Sequence, residues 1–327
     1  MVSILMPCKN AALYLEECLD SILAQMHTNW ELIVVNDHSD DQSPEILNNY
    51  HLKDSRIKWF NNPGSGIIAA LQFAYKNAQG NFISRMDADD VMPPQKLMQM
   101  RKTFDGSQNH ICTGKVAYFR EGGEVGNGYQ NYANWLNHLC ETNSHYSQIY
   151  KECVIPSACW MVSRDTFEQI GAFSLEIYPE DYDLCFRMYQ HQVPIVSLNE
   201  VLHHWRDHGA RASRNDPNYS DHTFLELKMQ YFLTIDFDEK RPLIIWGAGK
   251  KGKRMARYLI DRQIPFQWIC ENENKIGHTI YDQKLQSPAL IQEVPSQLLL
   301  SIASPQDQVE IKNRLKDLSQ IQSFWFC

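Results

Sequence analysis

Three aspartates fall within four residues at Asp87-Ala88-Asp89-Asp90, directly after the apolar run Phe82 to Met86. Carboxylates this close repel one another unless a cation or hydrogen bonds intervene. One reading is that Asp89 coordinates a divalent ion, manganese or magnesium, with Asp87 holding a ribose or the ion's water shell; the ion then neutralises a diphosphate leaving group. The other is a loop that only caps the helix starting near Pro93, because aspartate favours such positions. A second acidic pair, Glu180-Asp181, opens a helical pattern through Leu184, Cys185, Phe186 and Met188. A carboxylate there can act as a general base within hydrogen-bond reach of an acceptor hydroxyl; equally, it can complement the positive end of the helix. Asp37 closes another apolar run and can accept hydrogen bonds from a base or ribose, with Pro7 and Asn10 shaping the adjoining wall. Each of these residue types also serves in turns and caps.

The elements that must position these groups alternate along the chain. Val2 to Met6, Glu31 to Val35, Arg56 to Phe60 and Phe82 to Met86 read as strands, while Ala11 to Gln25, Ser43 to Leu52 and Gly66 to Ala78 have helical spacing. This predicts an α/β fold with a parallel sheet covered by helices. Open sheets of that kind bind ligands beyond the carboxyl ends of their strands. The loops at those ends are Pro7 to Asn10, Asn36 to Ser39, Asn61 to Gly66, which contains Asn62, and Asp87 to Asp90.

After Ile111 the rhythm breaks. Glu121 to Gly128 is glycine-rich, and the following stretch carries Tyr129, Tyr132, Trp135, His138 and Tyr146. These aromatic residues are either core at helical spacing or the wall of an acceptor site. A strand at Ala158 to Val162, helices near Asp165 to Ile170 and Tyr182 to Tyr189, and a long helix over Tyr219 to Ile235 follow. The polar segment Asp236 to Arg241 before Pro242 marks a boundary, dividing the chain into 1–236, with a helical tail from about 216, and 237–327.

The bulk properties exclude several classes. A net charge of -8 argues against broad adhesion to nucleic acid or anionic lipid. Met1 to Pro7 lacks a basic leader, and no stretch approaches the roughly 20 apolar residues that span a bilayer; a cytoplasmic location with at most peripheral membrane contact is expected. Nine cysteines without any C-x-x-C pair read as small buried hydrophobes in a reducing compartment.

Taken in order, these residues resemble the family 2 glycosyltransferases, which have the glycosyltransferase A fold, a Rossmann-like mixed sheet flanked by helices. Val2-Ser3-Ile4-Leu5-Met6-Pro7-Cys8-Lys9-Asn10 is similar to the family's first strand, and Ile33-Val34-Val35-Asn36-Asp37-His38-Ser39 to its V-D-D-G-S element. Arg85 to Asp90 resembles its metal motif; Gly171-Ala172-Phe173 and Glu180-Asp181-Tyr182-Asp183-Leu184 with Arg187 resemble its G-x-F and E-D-x-D-L-x-x-R segments. The resemblance covers roughly the first two-thirds of the chain, and the ordered combination is more specific than any motif within it.

It implies an inverting, metal-dependent transfer of sugar from a nucleoside diphosphate donor, with uridine the expected base, to a hydroxyl of a glycan, lipid-linked or other acceptor in surface glycan or polysaccharide assembly. Asp37 would contact the nucleotide base, Asp87 the ribose or metal and Asp89 the metal, Asn62 would join the donor contacts, and Asp181 would be the base. His203 to His208 resembles a segment where relatives carry basic or aromatic residues near the donor phosphates, so Arg206 and His208 are expected over the diphosphate or in a hydrogen-bond cluster. Asn36, His38 and Ala70-Leu71-Gln72 depart from the family pattern. The rival reading is a catalytically quiet sugar-nucleotide sensor.

The segment from Leu243 begins again with a strand, then Gly247-x-Gly249-x-x-Gly252 and a helical pattern through Asp261, with Glu271 after a further strand. This is the context of a dinucleotide fingerprint, in a piece too short for a two-half dehydrogenase domain. It resembles the small Rossmann-like domains attached to sugar-modifying enzymes, where the fold either binds a nucleotide or dinucleotide or serves as a docking domain.

Overall fold

The computed structural model describes residues 1–174, 176–219, 221–291 and 295–327. Their contacts form two compact units, Met1–Ser147 with Cys153–Asp216, and Gln148–Glu152 with Pro217–Cys327. The first unit contains β1 (Val2–Cys8), α1 (Ala12–Leu23), β2 (Trp30–Asn36), α2 (Ser43–Lys53), β3 (Ile57–Asn61), α3 (Gly66–Asn77), β4 (Phe82–Arg85) and α4 (Lys96–Lys102). It continues through β5 (Ile111–Phe119), α5 (Asn127–Thr142), β6 (Trp160–Ser163), α6 (Arg164–Gln169), α7 (Glu180–Gln190), β7 (Ile195–Arg206) and α8 (Ala212–Asn215).

The sheet order is β3-β2-β1-β4-β6-β5-β7. The strands β3, β2, β1 and β4 run parallel. β6 is antiparallel to both β4 and β5, and β5 is parallel to β7, so the sheet is mixed. Ile4, Leu5 and Met6 in β1 and Leu32 to Val35 in β2 are wholly buried, as continuous apolar runs covered on both faces must be. Burial of each such side chain stabilises the fold by about 1.5–3 kcal/mol. The register sets Cys8 beside Asn36 and Asn36 beside Asn61. Asn10, Asp37, Asn62 and Asp87 therefore emerge together at the carboxyl edge.

Past Ile111 the structure is more regular than the sequence suggested. β5 runs to Phe119, but register shifts on either side of Lys115 interrupt its pairing with β7. Gly114 permits this close approach, since a Cβ there would lie 2.6 Å from Leu202 Cδ1. The bulge disrupts the two-residue alternation by which a strand is read. The aromatic stretch forms α5, whose buried face is Ala133, Leu136, Leu139 and Cys140.

The seam also differs from the boundary expected at 236/237. The tail 217–236 groups with the second unit, where Phe232 packs on Phe324 with ring centroids 4.9 Å apart and Tyr150 stacks on Phe326 at 5.2 Å. These aromatic contacts are long-range in sequence and leave no local signal. The helix expected over Tyr219 to Ile235 is α9 (Asp221–Tyr231) followed by one π-helical turn, Phe232–Asp236; Ser220 lies outside the described residues.

The rest of the second unit is β8 (Leu243–Trp246), α10 (Lys250–Asp261), β9 (Gln267–Ile269), β10 (Thr279–Ile280), β11 (Gln283–Gln286), β12 (Gln297–Leu300), α11 (Pro305–Leu315) and β13 (Gln322–Trp325). Its sheet order is β10-β11-β9-β8-β12-β13, parallel except for the β10–β11 hairpin. Without β10 this is the 3-2-1-4-5 order of a Rossmann sheet, with its switch point between β8 and β12. Gly247, at φ +120°, makes the turn out of β8, and a Cβ on Gly252 would lie 2.0 Å from Gly247 O. Both positions require glycine.

Candidate functional site

Asp37 follows β2 and is buried. Its Oδ1 accepts from Asn62 Nδ2 at 2.7 Å and from the Gly66 amide at 3.0 Å, while Lys9 Nζ lies 3.4 Å from Oδ2. Asn10 Oδ1 accepts from the Asp40 amide and the Asn10 amide donates to Ser39, both at 2.9 Å. Pro7, Asn10, Asp37 and Asn62 thus belong to the edge formed by the first three strand ends. His38, where the resembled family has glycine, adopts φ +58°, the left-handed region that glycine enters freely. Its Nε2 lies 2.7 Å from Gly64 O, tying the two loops.

The acidic loop leaves β4 and is held from behind by β7. Val91 and His204 exchange backbone hydrogen bonds of 3.1 and 3.0 Å. Asp90 is buried; its Oδ1 accepts from the Arg206 amide and its Oδ2 lies 2.9 Å from His203 Nε2. His203 Nδ1 in turn lies 3.3 Å from Lys96 Nζ, which donates to Ala158 O at 2.5 Å. Burial and the neighbouring Asp89 and Asp87 push the Asp90 carboxyl well above its ordinary range; burial, aided by Lys96, pulls His203 well below its own. A neutral imidazole accepting from lysine and donating to Asp90 satisfies every partner. Asp90 is therefore the buried anchor of the motif.

Asp89 and Asp87 face the open side. Asp89 Oδ2 lies 2.7 Å from His208 Nε2. Burial works to raise this carboxyl, but the His208 hydrogen bond and the Arg211 charge outweigh it and hold it below the usual value. Asp87 Oδ1 accepts from Arg85 Nε at 2.9 Å, and its Oδ2 lies 3.4 Å from Ser157 Oγ. Arg206 is buried between the rings of Tyr14 and Phe119, donates from Nε to Asp89 O at 2.9 Å, and pairs with Glu17 and Glu121. Each of its three nitrogens engages the protein, so it braces the acidic loop.

Arg85, at the end of β4, is buried and bridges two elements. Besides Asp87 it donates from Nη1 to Glu180 Oε1 at 2.9 Å, which brings the start of α7 to the acidic loop. Burial, with Glu180 beside it, raises the Asp181 carboxyl to about 7 against the pull of Arg85. Asp181 retains partial exposure and accepts from the Tyr182 amide at 2.8 Å. Farther along α7, Asp183 pairs with Arg187 at 2.8 Å, and Arg187 donates to Ile170 O. Gln72 donates to Phe173 O at 2.8 Å, anchoring the Gly171-Ala172-Phe173 turn.

A divalent cation fits this donor set. Asp89 Oδ2 and His208 Nε2 already meet at hydrogen-bond distance, and magnesium-like ions use one or two protein ligands and take the rest from phosphates and water. Among the described residues no three ligating side chains form a closed cage. Arg211 is a residue that sequence reasoning missed: the nearby Asp90, Tyr118, Asp89 and Asp87 oppose its burial and raise its guanidinium. Arg85 and Lys96 did leave a signal, each being a charged residue within an otherwise apolar pattern.

Known proteins resemble this chain in sequence and in fold. The family profile described as Glycosyl transferase family 2 matches residues 3–171, just over half of the chain. Glycosyltransferase GlyA of Streptococcus pneumoniae is 28% identical over 221 residues, covering 65% of this chain and 31% of that protein. Chondroitin synthase of Pasteurella multocida is 31% identical over 137 residues, 41% of this chain and 14% of that one. The chain thus spans about a third or less of these two relatives. Among solved structures, S. aureus TarS 1-349 in complex with UDP-GlcNAc superposes with a TM-score of 0.56 at 18% identity, covering 79% of this chain and 71% of that chain. The mannosyltransferase PcManGT from Pyrobaculum calidifontis, in complex with GDP-Man and Mn2+, gives 0.51 at 17% identity, covering 79% and 69%. These likenesses establish the glycosyltransferase A fold, accompanied here by a second sheet domain.

Proposed function

Because the chain belongs to glycosyl transferase family 2, we propose that it is an enzyme transferring a sugar from a nucleoside diphosphate to an acceptor hydroxyl, with inversion at the anomeric carbon. The observation that carries this reading is Arg85, whose one guanidinium holds Asp87 of the donor loop and Glu180 beside the candidate base. Asp37 and Asn62 take the nucleoside, for which uridine is the expected base. Asp181, with its carboxyl raised to about 7, is matched to accept a proton near neutrality. It takes that proton as the acceptor oxygen bonds to the anomeric carbon and the bond to the diphosphate breaks.

Asp89 and His208, with Asp87 alongside, are the residues that would hold manganese or magnesium, which when bound supplies positive charge at the leaving diphosphate. His208 is thereby read as a cation ligand, and Arg211, in place of the braced Arg206, as the guanidinium for the phosphates. The sugar nucleotides bound by the structurally similar proteins and the synthase among the sequence relatives support a sugar-nucleotide donor and a glycan acceptor of surface polysaccharide assembly.

The test is sugar release from UDP- and GDP-sugars by the chelated protein during back-titration with manganese. The parent should recover activity with the metal, and His208→Ala should need about 10–100-fold more. Full activity under chelation, or an unchanged manganese requirement in His208→Ala, would sink the metal assignment.

A further inference from the structure

The second unit contains a cavity of about 380 Å³ that the proposed transfer does not use. Trp246, Glu271, Ser287, Pro288, Arg314 and Leu315 are among its lining residues. One wall is the wholly buried Trp246, and the oppositely charged pair of Glu271 and Arg314 supplies the polar groups. Glu271 stands just past β9, the second strand of the 3-2-1-4-5 order, and Arg314 Nη1 holds its Oε1 at 2.9 Å. A carboxylate at that strand end is placed to accept both hydroxyls of a ribose.

The glycine loop lies at the end of the neighbouring strand. Gly247 is fixed in its left-handed turn and Gly252 by close packing, but Gly249 has neither constraint. Its φ is -82°, and an added Cβ would meet no described atom within 4 Å. Open backbone at the start of the 12-residue helix α10, followed by Lys250, Lys253 and Arg254, is what a diphosphate requires: helix-start amides, positive dipole and room for close approach; Lys251 instead donates to Phe326 O. The glycine loop follows directly on Trp246 of the cavity wall, at the end of the strand that pairs with β9, which ends just before Glu271.

We infer that this unit binds a nucleoside 5′-diphosphate group, with the base beside Trp246, the ribose on Glu271 and the phosphates at Gly247 to Lys250. The site is separate from the donor site of the first unit. A free nucleotide and a dinucleotide share this chemistry.

Titration calorimetry of the full-length protein with UDP, GDP, ADP and NAD, in excess chelator, isolates the second site from metal-dependent donor binding. The expected result is one chelator-resistant site per chain for at least one probe. Gly249→Val should weaken that binding at least tenfold by filling the phosphate approach, and Glu271→Ala should weaken it comparably; both variants should keep the parent's unfolding temperature without nucleotide. Tighter binding of NAD than of ADP would assign a dinucleotide, and the reverse a free nucleotide. Absence of chelator-resistant binding for all four probes, or binding indifferent to both substitutions in folded protein, overturns the inference.

Discussion

Asp181→Asn should stop transfer and at the same time stabilise the protein. A carboxyl held at about 7 rather than 3.8 carries about 4 kcal/mol of unfavourable energy when ionised, at about 1.4 kcal/mol per pH unit. Asp181 keeps one side toward solvent, and screening there reduces the recoverable part to about 1–3 kcal/mol. The folded chain holds this proton more tightly than the unfolded chain. The penalty is therefore absent below pH 3.8, grows as pH rises between 3.8 and 7, and is complete above about 7. The amide cannot ionise and escapes it.

Urea unfolding at pH 8 should give the variant the higher midpoint, with the advantage fading toward pH 4, while turnover falls about 10²–10⁴-fold and donor binding is preserved. The parent's rate should itself decline below about pH 7 as the base becomes protonated. A variant that keeps turnover within about tenfold of the parent would show that Asp181 is not essential, and one less stable at pH 8 that it is not strained; either would refute the reasoning.

Arg85→Met removes the shared partner of Asp87 and Glu180 and should cost about 3–5 kcal/mol in chemical denaturation. With the guanidinium gone, the acid limb of the residual rate profile should move to higher pH. Gly252→Ala forces a methyl against Gly247 O and should destabilise the second unit by about 1–3 kcal/mol or more, measured as a lowered first unfolding transition and faster proteolysis within Pro217–Cys327.

The parallel half of the first sheet was readable because its strands are short, apolar and followed by helices with clear spacing. Asp37, Asp87, Asp89 and the Glu180-Asp181 pair stood out as carboxylates at the ends of such runs, and the structure brings them to one edge. The remainder was hidden by different causes. The bulge around Lys115 disguised β5, and β7 alternates poorly because its N-terminal half is partly exposed. The roles within the acidic loop depend on partners more than a hundred residues away: nothing local distinguishes Asp90, buried on His203, from Asp89, facing His208. Arg206 looked like a phosphate ligand because its chemistry permits it, and only its pairing with Glu17 and Glu121 shows it engaged elsewhere. The seam near 216 escaped notice because aromatic packing, rather than composition, decides it.

The bracing of the acidic loop by β7 has a consequence for biosynthesis. Strands β1 to β4 and their helices lie within the first 85 residues and pair with one another, so this part of the sheet can assemble while the chain is still emerging from the ribosome. Asp89 and Asp90 are made at that stage too, but the imidazoles and guanidinium that steady them, His203, Arg206 and His208, are translated more than a hundred residues later. At about 5–20 residues per second, the nascent protein carries three aspartates within four residues without these counterparts for several seconds. The parallel half of the sheet is thus an early product of translation, and the braced acidic loop a late one, completed only when the seventh strand docks.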